Sequence, residues 1–332
     1  MNDNMYDLTI IGGGSSGLFA CFYAKLHNLK TQIIESLPFL GGQIISLFPE
    51  KIIYDIGGIY KTNGKKLIQI LEKQLEHFNP KIQLNTEVQL IKYNSNKNCF
   101  QIIDNNNNIN FSKSILIATG KGAFTPRKLP IEYENSLNNN QIFYSVKKNN
   151  IFKNQEIAIA GGGNTAIDNI ISLIPITNKI NFIYRSSSIH GLKASFEKIK
   201  NNNKIKIFNS SLIKNINYDN NHNKLYISIK NIDNDIQKKL IVDKLIVNYG
   251  VIANNRIIRN WNLLLEHNKI IVNSKMETNI QGIYAIGDAI TYEGKVPLIA
   301  TGFGEAITAI NEIVKYLYPN KKHFLHSTDL YH

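Results

Sequence analysis

Apolar and polar positions change rhythm along this chain, and the changes mark its elements. Residues 6–11 (YDLTII) run apolar into a glycine cluster. Residues 18–28 (LFACFYAKLHN) then carry apolar positions at helical spacing, which predicts strand, turn, helix. A second short run, TQIIE, predicts a strand that ends on Glu35. The stretch VQLIKYNSNKNCFQIIDNNNNINFSKSILIATG alternates around an asparagine-rich turn, predicting a meander that closes on Ala118-Thr119-Gly120. There the rhythm starts again. EIAIA predicts a strand, TAIDNIISLI a helix stopping near Pro175, and KINFIY another strand, before a second alternating region, LYISIKNIDNDIQKKLIVDKLIVNYG. Finally GIYAIGDAI predicts a short strand ending at Gly287-Asp288, with a helix beginning near TGFGEAITAINEIVKYL.

The two restarts carry the same signature. Gly12, Gly14 and Gly17, with Ser15 and Ser16 between the last two, form G-x-G-x-x-G between the first strand and its helix. The first glycine permits the tight turn, the second lets backbone approach a pyrophosphate, and the third lets helix and strand pack closely. The helix N-terminus faces the negative charge. Glu35, 23 residues after Gly12, stands where a carboxylate can bond ribose hydroxyls. The later copy reads Gly161, Gly163, Asn164, Thr165, Ala166. Counting 23 onward lands on Tyr184 rather than an acid, and Arg185 follows. Losing the acid removes repulsion toward a 2′-phosphate, which a guanidinium can grip, so this crevice favours NADP over NAD. The acid-tipped crevice suits FAD and the Arg-tipped one a nicotinamide.

The expected architecture is therefore α/β with two Rossmann-like, dinucleotide-binding domains, the second inserted into the first. The FAD-binding domain is expected over residues 1–118 and 248–332, and the NAD(P)H-binding domain over 119–247. A length of 332 residues accommodates two domains, and 43% hydrophobic residues supply an ordinary core. No apolar run approaches the roughly 18 residues of a membrane span, and the opening MNDNMYD does not read as a signal peptide. The expectation is a soluble, cytoplasmic protein.

Charge and cysteines narrow the chemistry. The formal net charge of +13 suits an acidic partner, although the Asn-, Ile- and Lys-rich composition accounts for the excess equally well. No Lys/Arg cluster with interleaved aromatics points to nucleic acid. Cys21 and Cys99 are the only cysteines, in no C-x-x-C pair and no zinc pattern, and His323 with His326 lacks companion ligands. No metal is expected. A flavin without a thiol relay must hand its electrons to an outside molecule.

At this point several segments resemble one family. GGGSSGLFA, GGQIISLFPEKIIYDIGG, ATGKGAFTPRKL, GGGNTAID, the long run from KIIVNSKMETN to GFGEA, and the tail LHSTDLY are similar to the thioredoxin-reductase-like ferredoxin–NADP reductases. The resemblance implies a homodimer in which NADPH delivers hydride to FAD and the flavin passes single electrons to ferredoxin or flavodoxin. It implies that Glu35 holds the adenosine ribose, Gln43 bonds the flavin moiety, and Val88 offers backbone contacts to adenine. Phe124 would pack near the cofactor and Asp288 would bind the ribityl or pyrophosphate region. Phe48 stands where the family usually stacks a Tyr on one flavin face. His326, Ser327 and Thr328 match a tail that covers the other face from the partner subunit.

Departures bear on the nicotinamide crevice. The family's His-Arg-Arg is Tyr184-Arg185-Ser186 here, and a further Arg is His190, with Lys193 as another helper. Asn164-Thr165 replaces Asp-Ser. These changes leave NADH possible beside NADPH. No side chain acts as a catalytic acid or base in hydride transfer between stacked rings, so none is nominated. Two other readings stay open: an NAD(P)H-dependent reductase of flavins, quinones or small disulfides, and a redox-silent flavoprotein sensor.

Overall fold

The computed structural model describes residues 5–138, 140–146, 149–189, 193–254 and 256–320. The chain divides into two compact units, Met1–Phe124 with Ala253–His332, and Thr125–Ile252. The segments at these divisions have structure of their own. Strands Ala123–Pro126 and Val251–Asn254 pair with each other as a two-stranded sheet.

In the first unit the sheet runs Lys81–Gln83, Thr31–Ile34, Met5–Ile11, Ile109–Ile117, Cys99–Asp104, Val88–Asn94, and Ile283–Ala285 also pairs with Ile109–Ile117. The strands nearest the centre are parallel, with Ile34, Ile11, Ile117 and Ala285 level at their carboxyl ends. The last three strands of the meander are antiparallel. Its asparagine-rich turn closes because the Asp104 carboxylate accepts from the Asn106 and Asn108 amides at 2.8 and 2.9 Å. Helices Ser15–Leu26 and Ile299–Leu317 pack together, the latter burying Gly302, Glu305, Ala306, Ala309, Ile310 and Ile313 at helical spacing.

The second unit holds a parallel sheet ordered Ile142–Phe143, Lys244–Val247, Glu156–Ala160, Lys179–Ile183, Ile205–Phe208. Alternation sorts its two faces. Ile157 and Ile159 join the cluster that includes Ile167, Ile170 and Leu173 of helix Asn164–Leu173. Ala158 and Ala160 join the cluster under the meander Ser211–Asp219, Lys224–Asn231, Gln237–Val242. No helix among the described residues is long and apolar enough to cross a membrane.

A clamp in the first unit carries a pH prediction. Asp7 accepts from the Lys113 ammonium at 2.8 Å and the Lys30 amide at 2.9 Å. Burial alone would raise its carboxyl, but these hydrogen bonds and the Lys113 charge hold it below the usual aspartate range. A carboxyl depressed in the folded state adds stability above its unfolded value, near 4, and loses it as pH falls through the folded value. Asp7→Asn is expected to cost about 1 kcal/mol at pH 7, a few degrees of Tm. The deficit should shrink steadily in melts taken below pH 4; a deficit independent of pH would exclude the clamp.

Candidate functional site

Both crevices are built the same way, hydrogen bond for hydrogen bond. Gly12 N donates to Ile34 O, and Gly161 N to Ile183 O, each at 2.9 Å. Ala118 N donates to Ile11 O at 2.8 Å, as Asn248 N does to Ala160 O at 2.6 Å. The residue after the second strand is fixed alike: Glu35 between Gln83 O and Thr86 N, Tyr184 between Phe208 O and Ser211 N. Gly12 and Gly161 have φ of +109° and +139°. A Cβ there would lie 2.5 Å from Ala118 O and 2.2 Å from Asn248 O, so both the conformation and the close strand approach require glycine.

The second and third motif positions divide the labour. A Cβ on Gly14 or Gly163 would meet nothing within 4 Å, and each residue caps its helix without a side-chain hydrogen bond. The Cβ side of Gly14 and of Gly163 is therefore open at a helix N-terminus, where anionic oxygens are favoured. A Cβ on Gly17 would lie 2.0 Å from Gly12 O, so helix and strand touch there. The second copy tolerates a methyl, because Ala166 is fully buried at the matching place.

The crevices differ where the sequence differs. Glu35 is buried, with Oε2 accepting from Gly13 N at 2.6 Å and Oε1 from Leu37 N at 2.8 Å and the Ser36 hydroxyl at 3.2 Å. This fixes the carboxylate at the rim and leaves lone pairs for a diol. Tyr184 is buried instead against Phe182, ring centroids 5.0 Å apart, and presents no carboxylate. Burial also raises its hydroxyl. Arg185, the next residue, is exposed on the following loop. Asn164 and Thr165 begin the helix.

A cavity of about 440 Å³ opens at the carboxyl ends of the first sheet. Gly12, Gly14, Ser15, Ser16 and Glu35 line one part of it. Gln43, Phe48, Val88 and Asp288 line the rest, so the predicted residues converge on one space. Gln43 lies in helix Gly42–Leu47 and Phe48 caps it, with the Lys51 ammonium 5.5 Å from the Phe48 ring centroid. Asp288 follows the turn at Gly287 and lies 3.9 Å from the Lys121 ammonium. Gly17 packs behind the cavity wall. Phe124 belongs to strand Ala123–Pro126, and its side chain lies outside the described residues, as do His190, His326, Ser327, Thr328 and the Lys193 side chain.

Thr119 carries no sequence signal beyond its place in a turn, yet it lines this cavity. Its Oγ1 is buried without a hydrogen-bond partner among the described residues. Buried hydroxyls are normally satisfied, so this one marks a place for a polar ligand atom. Cys21 and Cys99, by contrast, are fully buried, and burial pushes the Cys21 thiol up to about 12. Neither is an accessible thiolate.

Known proteins share this arrangement. The family described as pyridine nucleotide-disulphide oxidoreductase matches residues 6–312. A ferredoxin–NADP reductase of Lacticaseibacillus paracasei is 42% identical over 329 residues, 99% of each chain. That of Ligilactobacillus salivarius is 45% identical over 331 residues, 99% of this chain and 96% of the other. Among solved structures, thioredoxin reductases of Lactococcus lactis and T. acidophilum both give a TM-score of 0.76, at 24% and 22% identity. They cover 95% and 96% of this chain and 99% of their own, and at such identity they speak for the fold alone. With a thioredoxin-reductase-like fold of two Rossmann-like domains and full-length relatives of this kind, the chain belongs to the pyridine nucleotide-disulphide oxidoreductase family, in the group of the ferredoxin–NADP reductases.

Proposed function

We propose that the protein is an FAD-dependent ferredoxin–NADP reductase, moving electrons between NADPH and ferredoxin or flavodoxin. The observation that carries this reading is a dinucleotide cavity in a chain whose only two thiols are buried, so electrons leave on another molecule. FAD fits the first unit. The helix N-terminus at Ser15 and Ser16, beside the open Cβ side of Gly14, suits its pyrophosphate, Glu35 its ribose, and the unpartnered Thr119 hydroxyl a polar atom of the ligand. NADPH suits the crevice of Thr125–Ile252, where Tyr184 supplies no competing acid and Arg185 is exposed, with NADH a poorer fit.

When bound, FAD supplies the exchange between a two-electron donor and one-electron acceptors. One NADPH then reduces two ferredoxins, releasing NADP⁺ and a proton. The polypeptide binds and orients both dinucleotides and excludes water, and no side chain need carry the proton. We place the protein in the cytoplasm, as a homodimer. Ile52 and Leu298 line the cavity while remaining about 43% and 44% exposed, and Tyr54 and Val296 beside them are 65% and 51% exposed. An apolar rim of this kind suits a second copy, whose His326–Thr328 segment would complete the flavin site.

Anaerobic titration tests the reading. NADPH is expected to bleach the yellow protein, and cytochrome reduction should then depend on added ferredoxin and fall with salt, given the +13 charge. Equal rates without a protein acceptor would favour the small-molecule reductase, and colour unmoved by NADPH would favour the silent sensor.

A further inference from the structure

Behind the cavity wall lies a buried charge cluster that the glycine motifs do not account for. Glu305, on helix Ile299–Leu317, is only 4% exposed. Its Oε2 accepts from Gly287 N at 2.7 Å. Its Oε1 accepts from the Tyr292 hydroxyl at 2.9 Å and from the Lys295 ammonium, whose side chain is 7% exposed. Tyr292 and Lys295 reach one oxygen because the chain turns between them, Lys295 N donating to Tyr292 O at 3.2 Å. Burial, the bond to Glu305 and its charge push the Tyr292 hydroxyl up to about 12, so it remains a donor at working pH.

A buried ion pair is a poor device for stability alone, since well-packed apolar side chains serve as well or better. What this one holds is a backbone amide at the cavity. Strand Ile283–Ala285 ends there, Gly287 turns with φ of +74°, and Asp288 follows with its carboxylate at the cavity wall. The same turn packs on the first glycine motif. A Cβ on Gly287 would lie 3.2 Å from Ser16 Oγ, and one on Gly302, in the Glu305 helix, 2.3 Å from it. Gly287 and Gly302 thus meet at Ser16, a Cβ on Gly302 also lying 3.8 Å from Gly287 Cα.

We propose that Glu305 is a positioning residue for the flavin site: it pins the Gly287 amide so that Asp288 is presented to the bound dinucleotide, while Lys295 and Tyr292 hold its carboxylate in place. The proposal rests on the reading of the cavity as an FAD site. All three partners of Glu305 are donors, and a carboxylate offers an acceptor to each. An amide at the same place has one acceptor atom and must turn its NH₂ toward Gly287 N or toward Lys295.

The test is FAD binding to full-length protein freed of flavin, followed by fluorescence quenching. Glu305→Gln is expected to weaken binding about tenfold, the usual scale for a buried donor left facing a donor. Glu305→Asp keeps the charge beside Lys295 but retracts from Gly287 N, and should weaken binding similarly if the Gln variant does not fold. Because Glu305 acts through Asp288, either change combined with Asp288→Asn should bind no worse than the weaker single variant. Unchanged affinity in both Glu305 variants, or losses that simply multiply with Asp288→Asn, would overturn the proposal alone. Wild-type protein that takes up no FAD would sink the cofactor reading, and this proposal with it.

Discussion

Gly17→Ala is expected to cost both stability and flavin, whereas Gly14→Ala should cost flavin alone. A methyl on residue 17 would start 2.0 Å from Gly12 O, a backbone atom that cannot swing aside. Gly12 is itself wedged against Ala118 O, and Ala118 N is bonded to Ile11 O, so the strand pair behind it resists movement too. The methyl must therefore lift helix Ser15–Leu26, which buries Leu18, Ala20, Cys21, Tyr23 and Ala24. Overpacking of this kind costs about 1–3 kcal/mol or more, against a gain of about 1 kcal/mol from replacing glycine within a helix. Contact with backbone places the outcome at the upper end, near 3 kcal/mol, and the displaced amides of Ser15 and Ser16 lose their aim. At Gly14 the backbone is already extended, φ −72° and ψ −176°, and the space around a Cβ holds no protein atom. The flavin-free Gly14→Ala protein should melt like wild type, yet bind FAD at least tenfold more weakly because the methyl stands in the cradle. If Gly14→Ala took up FAD normally, the crevice could not be the pyrophosphate site.

The contrast between those glycines shows how much of the site was legible beforehand. Spacing alone placed Gly12, Gly14, Gly17 and Glu35, because a strand–turn–helix with an acid after the next strand satisfies several local constraints at once. Tyr184 was legible for the same reason, as the residue standing where the repeat calls for an acid. Thr119 was not, since a hydroxyl at the end of an apolar strand looks like any turn residue until its burial is known. Glu305 did leave a signal: it falls on the buried stripe shared by Gly302, Ala306 and Ala309, an unusual place for a carboxylate. What a stripe cannot show is that Tyr292, Lys295 and the Gly287 amide close on the same group. The two-residue strands Ile52–Ile53 and Thr62–Asn63 escaped as well, being too short for any period to register.

Choice between nicotinamide dinucleotides should turn on two adjacent residues of the second crevice. Arg185→Ala is expected to raise KM for NADPH about tenfold and leave KM for NADH nearly unchanged, since only NADPH carries the 2′-phosphate. A charged hydrogen bond is worth about 1.5–3 kcal/mol, and the exposure of Arg185 argues for the lower part of that range. Tyr184→Glu tests the reciprocal idea. The backbone there matches that of Glu35 bond for bond, and Gly162 stands against the Tyr184 side chain as Gly13, whose N donates to Glu35, stands against Glu35: a Cβ on either would lie 3.3 Å from it. A carboxylate at residue 184 can therefore adopt the role Glu35 plays, accepting from a ribose 2′-hydroxyl and repelling a phosphate. Losing the Tyr184 ring against Phe182 will lower stability, so the comparison has to be the NADPH/NADH ratio of kcat/KM at a temperature where the variant is folded. That ratio should fall in both variants, and furthest when they are combined. If Arg185→Ala left it untouched, the phosphate would be held elsewhere, and the missing acid would have no bearing on which dinucleotide the second crevice accepts.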